Sequence, residues 1–206
     1  MRISISSLLI DLDVLATTHG LQPDIDIYLE LENSNNDDDE VPKDEVNIEP
    51  LIPISEGLIA NKEKNYEKAW KCFERHAKNN NSLGKYWKAY YLWEGHFVSK
   101  DRISAIKLFK EAADEGVAES QLRYAFLLAD KDVKVLKLDT RDPIKYLKLA
   151  AENDNATAQF HVGECYLKEK LGCKKNLDLA EYWLKRAALN NHRDAIKKLQ
   201  ELNVEI

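Results

Sequence analysis

Asn65–Ala77 reads NYEKAWKCFERHA, and the same pattern returns as DRISAIKLFKEAA from Asp101, DTRDPIKYLKLAA from Asp139 and NLDLAEYWLKRAA from Asn176. The copies begin 36, 38 and 37 residues apart. Repetition at a fixed period of this size marks one supersecondary unit stacked on itself, the signature of a solenoid. Each copy opens on Asn65, Asp101, Asp139 or Asn176, side chains that accept hydrogen bonds from the first free amides of a helix. Ala69, Ala105, Pro143 and Ala180 follow, then Phe73, Phe109, Leu147 and Leu184, and each copy closes on Ala77, Ala113, Ala151 or Ala188. These positions are four residues apart, which makes one stripe along one helical face. The small residues admit a neighbouring backbone and the large ones fill the space between. Pro143 breaks the alanine column near the start of its helix, where a missing amide costs little.

Another helix precedes three of these: YWKAYYLWEG from Tyr86, LRYAFLLADK from Leu122 and FHVGECYLKE from Phe160. Tyr86/Leu122/Phe160, Ala89/Ala125/Gly163 and Leu92/Leu128/Tyr166 form its columns. Two extra residues in the middle copy fall in its loop, around Lys131–Leu138, where insertions into a repeat belong. Leu51–Ala60 is a degenerate first helix. The stretch 192–202, with Ala195, Leu199 and Leu202 apolar and lysines outward, reads as a polar capping helix. The expected fold is all-α, a right-handed α-α solenoid of three to four helix pairs with repeats at about 51–81, 82–117, 118–155 and 156–191.

Paired helices at this period resemble the Sel1-like repeats, relatives of the tetratricopeptide repeat. The resemblance covers about residues 51–206 and is clearest over Tyr86–Gly116, with Ala89, then Gly95, Val98, Lys100 and Asp101 through the turn, and Ala112-Ala113 at the close. The third copy keeps Ala158-Gln159, Gly163, Tyr166 and Gly172, whereas the second has Lys131 in place of its turn glycine. The resemblance implies a non-catalytic adaptor or scaffold that binds a protein partner. Some bacterial relatives pair a cysteine in each helix with its neighbour; Cys72, Cys165 and Cys173 do not follow that pattern.

Charge is unevenly distributed along the 206 residues. Residues 1–50 carry thirteen acids against Arg2 and Lys43, while the remainder carries 23 acids and 28 bases, for a net −6 overall. Like-charge runs are solvated and disordered as a rule, so 17–50 reads as an acidic linker, with 33–50 almost free of apolar residues. Ahead of it, residues 1–16 form a short amphipathic helix with Ile5, Leu8, Leu9, Leu12 and Leu15 on one side. Arg2, Ser4, Leu8, Leu9 and Leu12 also resemble the last helix of a protein-kinase large lobe, with Ile3 where a proline is usual. That resemblance implies an alternative role, the regulatory or partner-binding tail of a kinase-like signalling protein whose catalytic domain is absent from this chain.

Ile3–Ile10 is too short and serine-broken for a secretory signal, and Asp11 and Asp13 follow where small neutral residues belong. No run approaches the roughly 20 apolar residues of a membrane span. Three cysteines without framework spacing suit a reducing compartment, so the expected location is cytoplasmic. His192-Arg193-Asp194 spells a kinase catalytic triplet, but position 199 is Leu where a metal-binding Asn is required. Cys72/His76 and His161/Cys165 each place two metal ligands on one helical face, yet they occupy packing columns. No Gly-rich phosphate loop and no nucleophile turn is present. The lysines of the second helices alternate with acids, which disfavours nucleic acid. No cofactor, metal or small-molecule ligand is expected.

A partner would therefore meet the concave side, which first helices line in such solenoids. Trp87, Arg123 and His161 form one column there, and Tyr90, Phe126 and Glu164 another. Exposed aromatic and arginine side chains together have the composition of binding hot spots. The competing reading has Trp87 and Tyr90 packed against the preceding repeat.

Overall fold

The computed structural model describes residues 51–130 and 143–205. The helix expected over 1–16, the acidic linker, the cap at Asp139 and the insertion at Lys131–Leu138 lie outside those residues. Helices account for all the regular structure described: α1 (Ile54–Lys62), α2 (Tyr66–Lys78), α3 (Ser82–Glu94), α4 (Arg102–Asp114), α5 (Ala118–Ala129), α6 (Pro143–Glu152), α7 (Ala156–Lys168), α8 (Leu177–Leu189) and α9 (Arg193–Glu201). They fall into two compact units divided between Leu108 and Phe109.

The helix starts follow from local chemistry. Asn65, Asn81, Asn155 and Asn176 each accept a hydrogen bond through Oδ1 from the backbone N–H three residues on, at 2.8–3.2 Å. Asp101 does the same for Ser104 N at 3.0 Å. His192 substitutes an imidazole, its Nδ1 accepting from Ala195 N at 3.3 Å. The triplet beginning at His192 is thus a helix cap. Pro143 occupies the first position of α6, where its missing amide is no loss. Leu51–Pro53 stays outside the helices and α1 begins only at Ile54, since the residue before a proline is driven out of the helical region.

The helix ends follow a second column. Asn80, Gly116, Asp154 and Asn191 have φ of +60°, +98°, +59° and +60°. This left-handed geometry reverses the chain after a helix, and Gly, Asn and Asp adopt it most readily.

In the first unit the core is aromatic. Phe73 of α2 stacks on Trp87 of α3 with centroids 5.0 Å apart, and Tyr91 meets Phe73 edge-on at 5.6 Å. The Tyr91 hydroxyl donates to Asn61 Oδ1 at 2.7 Å, so its buried polar tip is satisfied. Ala69, Ala105, Phe73 and Tyr86 are buried as their columns require.

In the second unit Phe109, Leu147 and Leu184 form the large column, and Ala113, Ala151 and Ala188 the small one. At Gly163 a Cβ would lie 2.8 Å from Leu184 Cγ and 3.2 Å from Ala180 O. The glycine is what lets α7 and α8 approach this closely. Ala195 and Leu199 of α9 close the core, but Leu202, expected to pack with them, falls just past the helix end and is 42 % exposed.

Adjacent repeats of this unit are joined by an amide ladder. Gln121 Nε2 donates to Ala113 O at 3.1 Å, and its Oε1 accepts from Asn153 Nδ2 at 3.0 Å. One repeat later Gln159 Nε2 donates to Ala151 O at 3.1 Å, and its Oε1 accepts from Asn190 Nδ2 at 2.9 Å. Both glutamines are buried, and a buried amide pairs fully or is costly.

His161 is the buried titratable group of this core, edge-on to Phe126 at 5.2 Å and to Phe160 at 5.3 Å. Burial, then the positive neighbours His192, Lys170 and Lys168, pushes its pKa down to about 3. Burial likewise lowers that of His192.

Two outcomes follow from these contacts. Asn190→Ala leaves Gln159 Oε1 unpaired and should cost about 1–3 kcal/mol. In a Gln159→Leu background the same substitution should cost less, read as coupling in a urea double-mutant cycle. His161 stays neutral in the folded state while the unfolded chain takes up a proton below about pH 6.5. Protonation therefore favours unfolding, and stability should fall as pH drops from about 6.5 toward 3, by up to about 1.4 kcal/mol per pH unit for this residue. Urea midpoints from pH 7 to 4.5 check this; His161→Phe should flatten the slope whatever it does to absolute stability.

Candidate protein-docking surface

The first helices are enclosed on more faces than one apolar stripe requires. In α3 residues 84–87 and 89–91 are buried, in α5 residues 120–125 and 127–129, and in α7 residues 158–163 and Cys165. A helix apolar nearly all round is an interior helix, and α7 is packed by the second helices α6 and α8 on two sides.

This geometry corrects the expected outward columns. Trp87 is 0 % exposed, stacked on Phe73 of the preceding helix and edge-on to Tyr86 and Tyr90 at 5.6 and 5.7 Å. Its indole Nε1 is buried without a hydrogen-bond acceptor. Tyr90 is buried against Trp87, Tyr91 and His96. Trp87 thus packs against the preceding repeat, as the second of the two sequence readings has it, and Tyr90 against side chains of its own repeat. Arg123 is also buried, its guanidinium 5.7 Å from the Phe109 ring centroid, and His161 is sealed beneath Phe126. Phe126 and Glu164 alone of the six retain partial exposure. Glu164 is held by an ion pair with Lys168 one turn on.

The two ligand-like pairs have packing roles. Cys72 donates its thiol hydrogen to Pro53 O at 3.6 Å, and His76 Nε2 hydrogen-bonds to Ile52 O at 2.8 Å. Together they hold Leu51–Pro53 along α2, beside a cleft of about 510 Å³. Two of the cations on its rim are matched, Lys68 with Glu56 at 3.0 Å and Lys71 with Glu67 at 2.8 Å. His161 and Cys165 are both interior, and burial pushes the Cys165 thiol up to about 12. Among the described residues no group of three or more His, Cys, Asp or Glu side chains could hold a metal ion. None of their helices is long and apolar enough to cross a membrane.

Surface features that depart from a column form no part of the repeat pattern. In the first unit Tyr66 and His96 stack at 4.8 Å and 8°. Arg102 lies over Trp93 at 5.1 Å. Phe97 and Ile103 stand 53 % and 50 % exposed. In the second unit α8 presents Leu177, Tyr182 and Leu189 to solvent. Arg186 spans Tyr182 and Trp183 at 5.9 and 5.1 Å and pairs with Asp154 at 2.5 Å. For Ile103, Tyr182 and Leu189 the available signal was an apolar residue standing where its counterparts in other repeats are charged.

Comparison with known proteins bears on this surface. The mouse (Mus musculus) DAP3-binding cell death enhancer 1 is 37 % identical over 112 residues, covering 54 % of this chain and 21 % of that protein. Chitin synthase regulatory factor 3 of Schizosaccharomyces pombe is 32 % identical over 103 residues, covering 50 % and 11 %. The chain thus spans about a fifth or less of the curated relatives it matches. Among solved structures, a Sel1 repeat protein from Oxalobacter formigenes superimposes with a TM-score of 0.59 at 23 % identity, covering 69 % of this chain and 55 % of that one. A protective antigen of uropathogenic Escherichia coli displaying an SLR fold gives 0.59 at 21 % identity, covering 71 % and 32 %. At those identities the structures attest the fold, an all-α helical-repeat solenoid. The Sel1 repeat model matches four times in succession, at residues 55–81, 82–117, 118–155 and 156–192, and the chain belongs to the Sel1 repeat family.

Proposed function

We propose that this chain is a non-catalytic adaptor that binds a protein partner on the concave side formed by its first helices. The observation that carries this reading is the run of four Sel1 repeats, an architecture that builds extended binding surface rather than an enclosed pocket. The names of its relatives agree with it. One is named for binding DAP3 and another as a regulatory factor of chitin synthase.

On this side of the second unit, Phe126 and Glu164 are the contact residues. Phe126 offers a partly open aromatic face held rigid by His161 beneath it, the economical kind of anchor that dominates binding energy. Glu164, paired with Lys168, supplies a polar rim. Arg123 and His161, and in the first unit Trp87 and Tyr90, act from below by fixing the helices. Three thiols free of disulfides, Cys72, Cys165 and Cys173, fit a reducing compartment, and we place the adaptor in the cytoplasm.

Affinity purification from the native host tests the reading. The wild-type chain should recover a specific protein, and Phe126→Asp/Glu164→Lys should lose it at least tenfold while keeping its helicity and melting temperature. Equal recovery by the two would remove these residues from the interface, and no recovery by the wild type would sink the adaptor role.

A further inference from the structure

Phe97 stands in a conformation and an environment that both disfavour it. Its φ is +61°, and the Val98 N–H donates to His96 O at 2.7 Å, closing a three-residue turn on Phe97. A γ-turn with positive φ is rare and strained, and bulky L-residues avoid that region. Its ring is 53 % exposed, so burial does not offset the strain. Among the described residues it is the one large hydrophobic that is both exposed and at positive φ. In the final repeat Leu171, eleven residues after Phe160 as Phe97 is eleven after Tyr86, also has positive φ, at +49°, but it is partly buried. What sets Phe97 apart from that counterpart is its exposure.

The neighbouring side chains indicate what the ring meets. Ile103 on the first turn of α4 is 50 % exposed. Lys100 and Arg102 are exposed, and the Arg102 guanidinium lies over Trp93. Asp101, between these cations, spends its carboxylate on Ser104, through N at 3.0 Å and Oγ at 2.6 Å. Between positions 97 and 103 the chain therefore exposes two large apolar side chains and two cations.

We propose that the α3–α4 turn is a second docking point, with Phe97 as anchor, for a partner segment that combines apolar side chains with carboxylates. Phe97 and Ile103 receive the apolar groups, and Lys100 and Arg102 the acids. The proposal rests on the adaptor reading but not on the concave side.

A phage-displayed library of random dodecapeptides, selected on the full chain, is the probe. Selected peptides should combine apolar and acidic residues. The tightest of them, titrated calorimetrically, should bind Phe97→Gly at least tenfold more weakly and Arg102→Glu more weakly than wild type. The melting temperature of Phe97→Gly should be unchanged or raised, because the strain is relieved. The proposal is overturned by failure to select any peptide, by peptides lacking carboxylates, or by equal affinity for Phe97→Gly. A fall of more than about 5 °C in its melting temperature also overturns it, since Phe97 would then hold the turn. Host purification with the same variant separates the two proposals. A partner retained by Phe97→Gly but lost with Phe126→Asp/Glu164→Lys leaves the adaptor standing and removes the turn from it.

Discussion

The approach of each first helix to its second helix is the constraint on which the other features depend. At Gly57 a Cβ would stand 2.8 Å from both Cys72 Sγ and Phe73 Cε1, and at Gly163 the obstruction is Leu184 Cγ at the same distance. Where the column holds alanine instead, at Ala89 and Ala125, the residue is buried. Once two helices are this close, the large residue opposite must fill a fixed volume, which is why Phe73, Phe109, Leu147 and Leu184 recur. Close packing tolerates little deviation in volume, so the period itself is a packing requirement.

Packing within a pair does not fix how one pair follows the next; polar groups at the joints do that. Asn80, Gly116, Asp154 and Asn191 reverse the chain in the left-handed region. In the second unit the glutamine–asparagine ladder then ties each first helix to the end of the helix before it and to the end of the helix after it. Such bonds add little net free energy when made and cost much when one member is missing. They therefore select the register rather than supply the stability.

The repeat columns and the caps at Asn65, Asp101 and Asn176 were legible because each is stated several times in the chain, and Pro143 because proline suits the start of a helix. Periodicity alone could not give the width of the buried arc on a first helix. The aligned stripe through Tyr86, Ala89 and Leu92 suggested that Trp87 and Tyr90 point outward, yet the buried arc of this first helix is wide enough to take in both. Arg123 misled for a further reason: charge implies exposure, but a guanidinium over an aromatic ring tolerates burial. The Cys72/His76 pair had the spacing of metal ligands and proved to hold backbone carbonyls at Pro53 and Ile52. Spacing identifies residues on one face and leaves open what that face meets.

A residue that serves packing tends to recur, because every repeat presents the same packing problem. Partner binding has no such periodicity, since a partner touches each repeat differently. The residues to examine in a repeat protein are thus those that depart from a column at a cost to the fold. Trp87 departs from its column, where Arg123 and His161 follow, but the departure is repaid by stacking on Phe73. Phe97 shares the positive φ of its counterpart Leu171 but not its burial, being strained at φ +61° and half exposed. An uncompensated departure of that kind points to a contact made outside the chain, and it separates a binding residue from a packing residue where hydrophobicity alone does not.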